Sequence, residues 1–370
     1  MFNKAKLAFR VLQGVAMKDH PSLLVFFVTS RCNARCSFCF NLENILVEDK
    51  PPEITLDEIE KIAKSLYPLP QLLLSGGEPF LRKDVADLVH MFYKHAGTRQ
   101  ISIPTNGALP NRIVPSVQAM LEKCSDAYIN INISVDAIGE PHDISRKVPG
   151  CYEKLCETFE QLVPVREAHP NLSINMLSCI KADNSDSVPE LINHIRDNFD
   201  VNYHFAGLVR GDVEAVEKDF DIHVAEKQIE DLYKDRGGIR KIPVFNRIAP
   251  AVSRLLSKIL DKARQESERA FECRAGRKII VLSHDAELYP CEPLWLEPEV
   301  RDGAPASQFV LADLKDFDFD VMKALASRQA QGVNDFVDEN KCACCYGCAI
   351  SNSIIYTPKM YPKVIKELIS

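Results

Sequence analysis

The sequence predicts an α/β fold: a partial (β/α)6 TIM-like barrel followed by a small, cysteine-rich C-terminal domain. Three observations predict it. Short apolar, β-favouring runs alternate with helical patterns six times between Leu23 and Leu208, which implies a parallel sheet with right-handed crossovers. Six such units suit a partial barrel better than a closed eight-stranded one. Past Asp212 the rhythm breaks, and cysteines gather from Cys273 onward.

The elements follow in order. Residues 1–21 carry a short amphipathic helix, with Ala8, Val11, Leu12, Val15 and Ala16 on one stripe. Its plain reading is a helix packed on the barrel. Lys4, Lys6, Arg10 and Lys18 also suit peripheral docking on an anionic membrane or partner surface. The barrel proper spans 22–212. Its first strand, Leu23 to Thr29, is followed by a cysteine loop. Thr55-Leu56-Asp57-Glu58 is a capping box, which starts a helix running to Leu66. Gln71 to Leu74 is the second strand, and Lys83 to Ala96 the helix that Gly97 stops. Ile101 to Ile103 and Tyr128 to Val135 are strands three and four, followed by helices at 113–121 and 151–168. Leu172 to Ile180 and Val201 to Leu208 are strands five and six, with a helix at 188–199 between them. Residues 213–270 form a helical connector, with helices expected over 213–236 and 248–269. Residues 271–370 form the cysteine-rich domain.

Composition narrows the function classes. With 370 residues, 46% hydrophobic and 26% charged, the chain has the balance of an ordinary globular protein with a sizeable core. A net charge of −7 gives no support for nucleic-acid binding. No apolar run approaches a membrane span, and the amino terminus lacks the apolar core of a secretory signal, so a cytoplasmic location is expected. In a reducing compartment, 13 clustered cysteines point to metal rather than disulfides.

The chemistry concentrates at strand ends. Cys32, Cys36 and Cys39 stand at C-x-x-x-C-x-x-C on the loop after the first strand, with Phe38 before the third thiol and Phe40 after it. Three thiolates suit a soft metal centre, and a cubane iron–sulfur cluster so held keeps one iron open. Zinc or a redox thiol site is the competing reading. Gly76-Gly77-Glu78-Pro79 ends the second strand, with glycines that let a ligand approach the main chain. Thr105-Asn106-Gly107 ends the third, where Asn106 also reads as a turn former. Ser134 and Asp136 end the fourth, before His142-Asp143-Ile144-Ser145-Arg146. Asn175 and His204 are expected to face the barrel interior. His204 reads either as a substrate contact or as a buried, hydrogen-bonded histidine. Cys124 and Cys179 read as plain buried thiols.

The triplet with its aromatic resembles the signature of the radical S-adenosylmethionine (radical SAM) superfamily. The resemblance covers about residues 22–350. It implies that Cys32, Cys36 and Cys39 hold a [4Fe–4S] cluster whose fourth iron chelates S-adenosylmethionine. It further implies that Phe38 packs on the adenine, that the Gly76-to-Pro79 turn binds the cofactor's amino group, and that Ser134 and Arg146 touch the cofactor. Asn106 also matches the family, and Asp136 could bind ribose hydroxyls or substrate.

The tail resembles the family's SPASM or Twitch auxiliary-cluster extension. A hairpin between Cys273 and Cys291 brings two thiols together, and two of Cys342, Cys344, Cys345 and Cys348 complete one auxiliary cluster, expected to be [4Fe–4S]. Six tail cysteines fit the shorter Twitch form, and zinc in the same ligands is the alternative. Ala286 stands where the family hairpin usually carries glycine.

The expectation is therefore an oxygen-sensitive radical SAM enzyme, served by a reductant such as flavodoxin or ferredoxin. It would cleave S-adenosylmethionine to a 5′-deoxyadenosyl radical and take hydrogen from a carbon of a small molecule or peptide, leading to oxidation, cross-linking or C–C bond formation. The short stretch before the first strand favours a small molecule, or a leader captured by another protein. The alternative is a non-catalytic iron–sulfur electron-transfer or binding protein on the same fold. No catalytic side chain and no substrate can be read from the sequence.

Overall fold

A computed structural model describes residues 12–210, 248–266, 271–297, 303–339 and 346–369, with Phe9, Val213, Arg269 and Val300 singly. Lys4, Lys6, Arg10, the helix expected over 213–236, and Cys342, Cys344 and Cys345 lie outside the described residues.

Six strands follow the predicted rhythm: β1 Leu23–Phe27, β2 Gln71–Ser75, β3 Gln100–Thr105, β4 Tyr128–Ser134, β5 Leu172–Ile180 and β6 Tyr203–Leu208. They pair in parallel in sequence order. Three more strands, β7 Ile279–Leu282, β8 Glu287–Tyr289 and β9 Ala312–Asp313, extend the same sheet beyond β1. The order is β6-β5-β4-β3-β2-β1-β7-β8-β9, an open sheet that does not close on itself. β7 runs parallel to β1, with Val25 beside Val281, so the C-terminal extension begins as a further strand of the barrel sheet.

Local sequence explains the helices between strands. Thr55 and Glu58 form the reciprocal capping box: Thr55 N donates to Glu58 Oε2 at 2.8 Å, and Glu58 N to Thr55 Oγ1 at 3.4 Å. Gly97, at φ +70°, ends the turn that follows the helix Val85–Met91. On the outer face, Leu24, Phe26, Leu74, Ile103, Ile131 and Met176 are fully buried against these helices. Each such side chain contributes roughly 1.5–3 kcal/mol by leaving water.

The inner face divides into two halves. Around β1 and β7 it is apolar: Leu23, Val25, Phe27, Ile279 and Val281 pack with the helices Ile248–Glu266 and Gly347–Tyr356. β1 is buried at all five positions because both of its faces are covered. From β3 to β5 the inner face is polar. Asn132 Nδ2 donates to Ser102 Oγ at 2.7 Å, Asn175 Nδ2 to Asn132 Oδ1 at 3.0 Å, and Ser173 Oγ to Asn175 Oδ1 at 2.8 Å.

Two contacts anchor the extension and the start of the chain. The β7–β8 turn sets Ala286 at φ +84°, where glycine is favoured, at a cost of about 1–2 kcal/mol. Ser283 offsets it: its Oγ donates to Asp285 Oδ1 at 2.5 Å and accepts from Glu287 N at 2.9 Å. Buried Lys278 donates to the carbonyls of Gly14 at 2.6 Å, His20 at 3.1 Å and Met17, which ties residues 12–20 to β7. Burial and the neighbouring Arg274 pull its ammonium down to about 8. Among the described residues, no helix is long and apolar enough to cross a membrane.

Candidate active site

The cysteine loop leaves β1 at the carboxyl end of the sheet and is braced from two sides. Glu53 takes a bidentate pair from Arg31, at 2.9 and 3.0 Å, and the Thr29 hydroxyl. Arg82, almost fully buried, donates to Val28 O at 3.1 Å and Ile54 O at 2.6 Å, and pairs with Asp84 at 2.8 Å. From the other side comes the Gly76–Glu78 turn. Gly77 N donates to Thr29 O at 2.7 Å and Glu78 N to Arg31 O at 2.9 Å. A Cβ on Gly77 would stand 2.0 Å from Arg31 O, and one on Gly76, at φ +121°, 2.3 Å from Thr29 O. Only glycine permits this approach. Both predicted glycines thus act first on the loop.

The three loop thiols gather with Ala34, Phe38, Val148, Cys179 and Val209 in one small cluster. Burial pushes the Cys32 thiol up to about 12, partly countered by the Ala34 amide and reinforced by Glu78 and the other two thiols. Cys39 is pushed up to about 11, again first by burial. Buried thiols that repel one another's charge become thiolates only beside a cation, and a metal centre supplies one. Among the described residues, no three His, Cys, Asp or Glu side chains converge as they would on one metal ion. A cubane takes each thiolate on a different iron, so its ligands stand further apart.

Glu78 is the central carboxylate. It is 1% exposed and accepts from Thr105 Oγ1 at 2.9 Å, Asn106 N at 2.9 Å and Phe80 N at 3.3 Å, all neutral donors. Burial raises its carboxyl to about 7 despite those donors. Pro79, also buried, starts the short 3₁₀ turn that presents Phe80 N. Asn106 is both turn former and tie: its Oδ1 accepts from Ala108 N at 2.9 Å, and its Nδ2 donates to Asn33 Oδ1 at 2.8 Å in the cysteine loop.

The fourth strand and its following helix form the other wall. Asp136 has no exposed surface; it pairs with Arg146 at 2.5 Å and accepts from Cys179 N at 2.9 Å. Three members of the His142-to-Arg146 run shape this wall: His142, Asp143 and Arg146. His142 Nδ1 accepts from Asp136 N at 3.2 Å, its imidazole pulled down to about 4 by burial and then by Arg146. Asp143 accepts from Gly150 N at 2.7 Å and Tyr152 N at 2.8 Å, capping the helix Cys151–Ala168. Burial opposes the charge of Arg146, but Asp136 and the thiol of Cys36 outweigh it and raise its pKa. Its guanidinium lies 5.2 Å from the Phe38 ring centroid, and its buried Nε has no hydrogen-bond partner. Ser134, partly buried, ends β4 beside Leu177 of β5.

The extension approaches the same mouth. Gly276 N donates to Pro290 O at 3.1 Å, which sets the Cys273 segment beside the Cys291 segment. Cys273, Cys291 and Cys348 share the inner apolar cluster. Cys348 is raised by burial and then by Glu292, with Arg210 and Tyr346 acting the other way.

The family model described as the radical SAM superfamily matches residues 26–195, the stretch that carries the loop, the Gly76–Glu78 turn and Arg146. Over that stretch the chain carries a radical SAM domain. Molybdenum cofactor biosynthesis protein moc-5 of Caenorhabditis elegans is 26% identical over 191 residues, 50% of this chain and 30% of that protein. A GTP 3′,8-cyclase of Stenotrophomonas maltophilia is 28% identical over 193 residues, 51% of this chain and 55% of that one. Pre-heme d1 synthase of Dinoroseobacter shibae is 27% identical over 198 residues, 53% and 45% respectively. The matched stretch thus spans little more than half, or less, of these relatives. Among solved structures, anSMEcpe with bound AdoMet superposes with a TM-score of 0.59 at 14% identity, covering 95% of each chain. Streptococcus suis SuiB bound to S-adenosylmethionine gives 0.52 at 14%, covering 76% of this chain and 62% of that one. At these identities the likeness is one of fold: the partial barrel of radical SAM enzymes.

As a radical SAM enzyme, the chain has a donor set that fits the cluster and cofactor. It has three mutually repelling thiols, a buried carboxylate whose hydrogen-bond donors are all neutral, and a guanidinium nitrogen without a hydrogen-bond partner. Sequence reasoning missed several residues around them. Cys179 lies against the cluster loop, and Lys181 puts its ammonium 5.2 Å from the centroid of the same Phe38 ring that Arg146 faces. Alternation along β5 through Ser173, Asn175 and Leu177 was the available signal. Asn175 faces inward as expected. His204 does not: its register partner is Met176 of the outer core, and its Nε2 lies 2.9 Å from Ser178 Oγ. Its imidazole is pulled down to about 4 by burial. The phase of β6 is set by pairing to β5, which the run Tyr203 to Leu208 does not reveal alone.

Proposed function

We propose that this enzyme acts on an uncharged, polar small molecule from which it removes a hydrogen atom. Cys32, Cys36 and Cys39 would hold the [4Fe–4S] cluster, Glu78 would accept the cofactor's ammonium, Arg146 Nε its carboxylate, and Phe38 and Ser134 would line its adenosine. A cluster held there would supply one electron to bound S-adenosylmethionine, whose reductive cleavage would give methionine and a 5′-deoxyadenosyl radical able to abstract hydrogen. The observation that carries the cofactor assignment is Glu78, a buried carboxylate whose donors are all neutral. The polar inner face from Ser102 through Asn132 to Asn175 supports an uncharged substrate, since its amides and hydroxyls offer hydrogen bonds without charge. The names of relatives matched by sequence, GTP 3′,8-cyclase and pre-heme d1 synthase, support small-molecule chemistry over peptides. Oxidation and C–C bond formation are both outcomes of the carbon radical so formed.

Cys273, Cys291 and Cys348, with one of Cys342, Cys344 and Cys345, would hold a single auxiliary cluster that exchanges an electron with substrate or reductant. The shared burial of the three described thiols supports it. Flavodoxin or ferredoxin is the expected electron source, and the cytoplasm the expected compartment. The test is 5′-deoxyadenosine formation by anaerobically reconstituted protein with dithionite and S-adenosylmethionine. Cys36→Ala is expected to abolish it. Full retention in the variant, or none in the wild type, would return the chain to the electron-transfer or scaffold reading.

A further inference from the structure

Arg210 stands just past β6, where three of the segments assigned to the two metal centres meet. Its guanidinium lies 4.3 Å from the ring centroid of Phe40, the residue after Cys39, and 4.8 Å from that of Tyr346, two residues before Cys348. It pairs at 2.5 Å with Glu292, the residue after Cys291, and at 3.3 Å with Glu297. The Glu292 side chain is almost fully buried, so the carboxylate end of this ion pair is held away from water, while the Arg210 side chain keeps 32% of its surface exposed. One planar cation thus stacks against the first cluster's loop and binds the extension at two points.

Stacking on two rings while pairing with a carboxylate uses the flat, forked shape of arginine, which lysine lacks. A cation here also acts electrostatically. Each centre gains negative charge when it takes an electron. In a partly desolvated gap a fixed positive charge favours that reduced state, and a fixed carboxylate opposes it.

We propose that Arg210 is a positioning residue that couples the two centres: it fixes the Cys291 and Cys348 segments against the first loop and raises the auxiliary centre's reduction potential against the pull of Glu292. This rests on the auxiliary-cluster reading above. The test is a potentiometric titration with dithionite, followed by electron paramagnetic resonance, on wild type, Arg210→Gln, Arg210→Lys and Glu292→Gln. Iron is counted first, because two cubane centres require about eight irons per chain. With both centres present, R210Q is expected to lower the auxiliary potential, E292Q to raise it, and R210K, which keeps the charge but not the stacking, to fall between wild type and R210Q. A residue that merely held the fold would move R210Q and E292Q in the same direction or lose the cluster in both. Where R210Q leaves Glu292 too poorly paired to fold, the isoelectric pair R210Q/E292Q replaces it, with a potential below that of E292Q alone. Shifts of one sign, or none, overturn the proposal while sparing the second centre. A wild type with about four irons overturns both.

Discussion

Glu78→Gln separates what this carboxylate costs the fold from what it does for the cofactor. Burial, working against the donors Asn106, Thr105 and Phe80, moves the carboxyl from its ordinary 4.5 to about 7. Below 4.5 the folded and unfolded chains both keep the proton, and the group is neutral in stability. Between 4.5 and about 7 the unfolded chain ionises first, so stability falls as pH rises. Above about 7 both are ionised and the loss levels off; at ~1.4 kcal/mol per pH unit it reaches about 3 kcal/mol. Glutamine removes the charge and keeps an acceptor for Phe80 N and Thr105 Oγ1, but its NH2 then faces Asn106 N, a cost of about 1–3 kcal/mol that does not change with pH. Without cofactor, E78Q should therefore gain several degrees on wild type between pH 5 and pH 8. The cofactor's ammonium reverses the preference. A hydrogen bond to a charged group contributes about 1.5–3 kcal/mol, so E78Q should bind S-adenosylmethionine roughly 10–100-fold more weakly. Wild-type binding should also release a proton near pH 7, because the ammonium favours the ionised carboxylate. Differential scanning across pH, with calorimetric titration in two buffers of unlike ionisation heat, reads both effects. Equal affinity in the two proteins, with no proton released by wild type, would refute the assignment of Glu78 to the cofactor amine.

Gly77→Ala puts a methyl 2.0 Å from the backbone oxygen of Arg31, which cannot swing aside as a side chain would. Losing the bonds from Gly77 N and Glu78 N should cost about 2 kcal/mol and reduce the iron retained after reconstitution, read by metal analysis. Asp136→Asn leaves Arg146 buried without its partner and should destabilise by roughly 3–5 kcal/mol in thermal melting, with the double variant Asp136→Asn/Arg146→Met recovering much of it. No recovery in the double variant would mean that Asp136 acts through Cys179 N instead.

Much of this architecture was legible in the chain because its signals are local. β1, covered on both faces, is an unbroken apolar run, and β3 and β4 alternate apolar with polar residues, so these strands stand out against amphipathic helices. The cysteine spacing, the capping box at Thr55 and the Gly76-Gly77 turn are likewise complete within a few residues. What stayed illegible is made by distance along the chain. Glu53 braces Arg31 from 22 positions away, within an irregular stretch. Arg210 meets Phe40, Glu292 and Tyr346 only once β6, the loop and the extension are in place. The pairing of β7 with β1 joins residues over 250 positions apart, so a hairpin that reads as the start of a separate domain enters the barrel sheet.

The division of the inner face links these readings to the chemistry. The apolar half, under β1 and β7, is sealed by helices from beyond residue 248, so the extension fills the part of the barrel next to the cysteine loop. Under the proposed function, the polar half, under β3 to β5, is where substrate would bind. Asn132, Ser102, Ser173 and Asn175 already satisfy one another there, which makes the surface rigid but lowers the gain from any single new hydrogen bond. A substrate that binds must match several of these groups at once. Such a surface selects by the pattern of hydrogen bonds rather than by charge, and it fixes the position of the target carbon. A site that generates a radical requires that fixed position, since a loosely held substrate would offer it more than one hydrogen.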